Sequence, residues 1–85
     1  MPRFLIHFYE TWVDFRKDNI NAIAGADTLD ELIKTLDKAA DEYKIAKVFI
    51  LRDGNYIRIL TANLREWREL RDEERGQGDK VGLRE

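Results

Sequence analysis

The sequence predicts an α+β fold: a two-layer sandwich in which a four-stranded antiparallel sheet carries two helices on one face, in the order ββαββα. Three observations lead there. Residues 47–60, KVFILRDGNYIRIL, are two β-branched and aromatic runs around Asp53-Gly54, the dipeptide favoured in a two-residue type I′ hairpin turn. Thr28 and Glu31 form a capping box ahead of an apolar stripe, which marks a helix start. A second stripe, Leu64, Trp67 and Leu70, lies on a highly charged segment after the hairpin, as in a surface helix that buries one narrow face.

Along the chain, Phe4, Ile6 and Phe8 alternate with Leu5, His7 and Tyr9, the period of a strand. The parity then slips at Glu10 and Thr11. A β-bulge there is expected to restore it and to bring Val13 and Phe15 onto the face of Phe4. Lys17-Asp18-Asn19 supplies turn chemistry, and Ile20 to Ala26 reads as a shorter returning strand. The first helix is expected over about 28–43, with Leu29, Leu32, Ile33, Leu36, Ala39, Ala40 and Tyr43 on one side. Asp30 and Glu31 favour its positive end and Lys44 and Lys47 its negative end.

In the hairpin, a two-residue loop sets Arg52 against Asn55, Leu51 against Tyr56, Ile50 against Ile57, Phe49 against Arg58 and Val48 against Ile59. One face then carries Val48, Ile50, Ile57 and Ile59, expected to be core. The other carries Lys47, Phe49, Leu51, Tyr56, Arg58 and Leu60. Asn63 can cap the last helix, which is expected to end near Arg75. Residues 1–75 thus read as one domain, and 76–85, rich in glycine, as a tail that is flexible or docked through Val81 and Leu83.

Size and composition bound the function. An 85-residue chain has room for one core, burying roughly 60–65% of its unfolded surface. Charged residues make up 38%, yet 15 Lys and Arg against 17 Asp and Glu leave a net charge of only −2. Any grip on nucleic acid must therefore come from a local patch. Cysteine and serine are absent, which removes disulfides, thiolate metal sites and the two commonest nucleophiles. With no signal-peptide pattern and no apolar run of about 20 residues, a soluble, cytoplasmic protein is expected.

Catalysis is not what this pattern predicts. His7 is the only histidine and reads as a sheet-face side chain; Glu10 and Asp14 near Tyr9 are carboxylates without a companion base. Gly76, Gly78 and Gly82 follow a helix and so do not form a phosphate loop. No catalytic residues, metal site or cofactor are expected.

Two surfaces stand out as candidates for interaction. On the last helix, Arg65, Arg68, Arg71 and Arg75 share a sector beside Trp67, a ridge suited to phosphates or an acidic partner, unless nearby acids neutralise it. On the sheet, helices on one face leave the other open, with Phe49, Leu51, Tyr56 and Arg58 beside His7 and Tyr9. Monomers seldom leave so large an apolar area uncovered, so a protein partner or second copy, the bases of single-stranded nucleic acid, or the chain's own tail folded back is expected over it. The expectation is a non-catalytic protein-interaction module, whether adaptor, regulator or inhibitor, of the kind phages and mobile elements encode, with a protein partner or self-association. Binding of single-stranded nucleic acid on the same face is the alternative.

Overall fold

The computed structural model describes residues 1–73. Strand β1 (Phe4–Tyr9) runs inside the sheet, and its alternation buries Phe4, Ile6 and Phe8 on one side. The chain then does not continue as a bulged strand. Instead Thr11 caps a short helix, α1 (Trp12–Arg16), its Oγ1 accepting the Asp14 N–H at 3.0 Å and donating to Asp14 Oδ2 at 2.9 Å. This local capping outweighs the period-two apolar pattern of Val13 and Phe15. The returning strand β2 (Ala22–Ala26) pairs with β1, Leu5 opposite Gly25 and His7 opposite Ile23.

Helix α2 (Leu29–Ala39) begins at Thr28 with both halves of the capping box formed, Thr28 Oγ1 accepting the Glu31 N–H and the Glu31 carboxylate accepting the Thr28 N–H, each at 3.1 Å. Such a cap stabilises by about 1 kcal/mol. The helix stops earlier than its stripe suggests, but Tyr43 still reaches the core and stacks on Phe8 at 5.2 Å.

Strands β3 (Ile45–Arg52) and β4 (Asn55–Asn63) form the hairpin, closed by Asp53 at φ 51° and Gly54 at φ 81°. Two left-handed residues in succession define the type I′ turn, which glycine adopts without a Cβ penalty. The register follows the expected pairs from Arg52/Asn55 to Phe49/Arg58 and then shifts, so that Val48 faces Leu60 rather than Ile59. The extra residue has a packing reason. It sets Ala62 rather than Thr61 opposite Ala46 on the core side, and Thr61 opposite Lys47 on the other. The sheet order is β2-β1-β3-β4, all antiparallel.

Residues 64–73 are helical and form α3. Leu64 is fully buried and Trp67 packs on the same core as Phe4, Ile6, Phe8, Leu32, Leu36 and Val48, so α2 and α3 lie on one face as expected. Their cover ends short of the hairpin's outer side: Val48 is buried, but Ile57 and Ile59 remain 46% and 47% exposed, not the core positions their aliphatic character suggested. No helix among the described residues is long and apolar enough to cross a membrane. Arg75 and the 76–85 tail lie outside the described residues.

Candidate interaction surface

The second sheet face is assembled from the other parity of every strand. Cross-strand pairing places Ile23 beside His7, His7 beside Lys47, Leu5 beside Phe49, Phe49 beside Arg58 and Leu51 beside Tyr56. One end of this face is closed. Tyr9 and Ile45, opposite one another, are completely buried beneath α1, with Phe15 edge-on to Tyr9 at 5.5 Å. Tyr9 therefore belongs to a small second core and is not available to a partner. The extra helix, not foreseen from the sequence, is what removes it.

An ionic cluster rims that core. The Tyr9 hydroxyl donates to Asp18 Oδ1 at 2.5 Å, and Lys47 Nζ donates to the same oxygen at 3.2 Å while lying over the Tyr9 and Phe15 rings at 5.3 and 5.2 Å. Asp18 is held below the ordinary carboxylate range by the Tyr9 hydrogen bond first and by Lys47 second. Burial lifts the Tyr9 hydroxyl, and the hydrogen bond to Asp18 adds to it. Burial works to lower Lys47, yet its hydrogen bonds to Asp18 and Tyr9 carry it upward. Asp18 and Lys47 neutralise one another, and the neutral Tyr9 hydroxyl donates a further hydrogen bond to the carboxylate.

Beyond the cluster the face is open among the described residues. Leu5, His7, Phe49, Leu51 and Tyr56 are each half-buried, Arg58 is exposed and Ile23 is 60% exposed. His7 and Phe49 pack ring against ring at 4.7 Å and a 52° tilt. Burial lowers the His7 pKa, Asp18 opposing and Lys47 adding to the effect. At the far end, the Tyr56 hydroxyl donates to the Pro2 carbonyl at 2.6 Å, so one edge of the Tyr56 ring is already taken. Leu5 and Ile23 complete this surface, and both follow from strand parity once β2 is known to flank β1.

The arginine ridge has a different fate. Arg71 forks onto Asp37 of α2, Nε to Oδ1 at 3.1 Å and Nη2 to Oδ2 at 3.2 Å, and Trp67 Nε1 donates to the same carboxylate at 2.8 Å. Arg71 also lies 5.9 Å from the Trp67 ring centre. Arg68 pairs with Asp41 just past α2, and Arg65 reaches Glu69 at 3.7 Å on the solvent side. Trp67, Arg68 and Arg71 therefore fasten α3 to α2 and the turn after it, with partners some thirty positions away that no local spacing reveals. A hollow of about 250 Å³ between the helices is lined by these same paired groups. A second, of about 390 Å³, lies between Trp12, Tyr43, Lys44 and Arg65. Among the described residues no His, Asp and Glu side chains converge to hold a metal ion.

No protein-family model, curated protein or solved structure matches this chain.

Proposed function

We propose that the protein is a non-catalytic protein-interaction module that binds its partner through the open sheet face. The observation that carries this reading is the continuous patch of Leu5, His7, Ile23, Phe49 and Leu51, bordered by Arg58, that neither α1 nor the α2 and α3 layer covers. Interface centres are apolar and aromatic with few charges, and arginine is favoured at anchoring positions. The α3 ridge is the weaker candidate because Trp67, Arg68 and Arg71 are engaged by Asp37 and Asp41. An adaptor or inhibitor working in a reducing cytoplasm suits a chain without cysteine.

Single-stranded nucleic acid is the second reading, favoured by the exposed edge of the His7 and Phe49 ring pair next to Arg58. Stacking platforms of this kind also need a cationic track for the backbone, and here Lys47 is neutralised by Asp18. Protein binding is therefore preferred. The test is capture of partners from the native cell by the full chain and by Phe49→Ser and Leu51→Ser variants of unchanged fold. A protein lost with both variants supports the reading. Retention of the same protein by both contradicts it, and recovery of nucleic acid released by about a fourfold rise in salt favours the alternative.

A further inference from the structure

We infer that β4 pairs with β4 of a second copy of this chain, antiparallel about a two-fold axis through Ile57. This concerns the rim of the sheet and stands whether or not the open face binds a protein. β4 is an outer strand of nine residues, whereas the other outer strand, β2, has five and is made mostly of alanine and glycine. Proteins blunt exposed strand edges by shortness, lysine, proline or bulges. β2 is short. β4 is long, carries Arg58 as its one charged residue and leaves Ile57, Ile59 and Leu60 at 46%, 47% and 43% exposure. Among the described residues its only protective device is the bulge at Ile59, and residues 55–58 lie on the straight side of it.

The turn decides which backbone groups are free. In a two-residue type I′ hairpin the residues flanking the loop, Arg52 and Asn55, form a hydrogen-bonded pair, and the pattern alternates from there. Asn55 and Ile57 thus bond to β3, while the N–H and C=O groups of Tyr56 and Arg58 point out along the edge. A two-fold through Ile57 sets each copy's Tyr56 opposite the other's Arg58, exchanging those free groups in two hydrogen-bonded pairs. On the open face each Arg58 guanidinium then meets a Tyr56 ring across the seam, a favourable cation–π geometry. On the helix face Ile57 meets Ile57 in the closer, non-hydrogen-bonded spacing, which covers apolar surface that α2 and α3 leave bare.

Neighbouring registers are worse. Centring the axis on Arg58 sets arginine against arginine, centring it on Tyr56 leaves only residues 55–57 in the seam and sets Arg58 against the Gly54 turn, and centring it on Ile59 meets the bulge. The correct register joins two sheets into one of eight strands and makes their open faces continuous. The seam is short, so an association of about micromolar strength or weaker is expected.

The chain has no cysteine, so single cysteines report the register directly. Sedimentation equilibrium of the full chain should show a concentration-dependent dimer, which Ile57→Lys reduces by tenfold or more in affinity while Phe49→Ser, away from the rim, leaves it unchanged. Ile57→Cys should cross-link to a dimer under mild oxidation at least tenfold faster than Ile59→Cys or Thr61→Cys. A chain that stays monomeric at several hundred micromolar overturns the inference, as does equal cross-linking at the three positions. Loss of partner capture in Phe49→Ser bears only on the face, so the two readings fail separately.

Discussion

Asp37 is the position at which the packing of α3 can be put to the hardest test. Its carboxylate accepts one hydrogen bond from the Trp67 indole and two from the Arg71 guanidinium, and both members of the Arg71 ion pair are less than one-third exposed, at 31% and 27%. A charge-assisted bond from an indole contributes about 1.5 kcal/mol, and a partly screened arginine pair about 1 kcal/mol. Replacing aspartate by alanine within α2 returns roughly 0.5 kcal/mol of helix propensity. Asp37→Ala should therefore destabilise by about 2 kcal/mol, equivalent to a fall in Tm on the order of 10 °C for a domain of this size. Double-mutant cycles in urea, Asp37→Ala with Trp67→Phe and Asp37→Ala with Arg71→Ala, cancel the propensity effect and isolate each coupling. Couplings near 1 kcal/mol are expected in both cycles. If both lie below about 0.3 kcal/mol, α3 is not fastened as described, and its arginines return as a candidate binding surface.

Two further perturbations probe the open face. His7 takes a proton less readily in the folded protein than in the unfolded chain, so the unfolded state binds more protons just below pH 6.5 and stability should fall as pH drops through that window. His7→Gln should flatten the slope between pH 7 and 5.5 in urea titrations. An unchanged slope would assign it to other groups, since the lowered Asp18 carboxylate loses its contribution only at more acid pH. At Gly25 a Cβ would lie 2.8 and 2.9 Å from Pro2 Cγ and Cβ. Gly25→Ala should push the N-terminal arm off the sheet, break the Tyr56 bond to Pro2 and cost about 1 kcal/mol. Thermal unfolding measures the loss, and in a Pro2→Gly background the penalty should shrink to a few tenths.

Legibility in the sequence followed the range of the interactions involved. The Asp53-Gly54 turn and the Thr28 and Glu31 cap are settled by residues three or fewer apart, and both elements form where they were expected. The same kind of signal, Thr11 with Asp14, is present at α1, but the alternation of Val13 and Phe15 points to a bulged strand there, and the helix that buries Tyr9 does not follow from it. The bulge at Ile59 has no local signature, because it answers a demand of the core that Ala62 face inward and Thr61 outward. The sector shared by the α3 arginines follows from helical spacing, but Asp37 and Asp41, the partners of Arg71 and Arg68, are brought to them only by the packing of α3 on α2. The open face emerged with Phe49, Leu51, Tyr56, Arg58 and His7 in place, gained Leu5 and Ile23 from the sheet order, and lost Tyr9.

The most direct test of face recognition is to map the contact itself. Isotope-labelled full chain is titrated with the protein that co-purifies with it, and the amide shifts are read residue by residue. The expected result is change concentrated at Leu5, His7, Ile23, Phe49 and Leu51, with residues 64–73 undisturbed. Shifts centred on Arg65 and Arg68, with the sheet face silent, would contradict it.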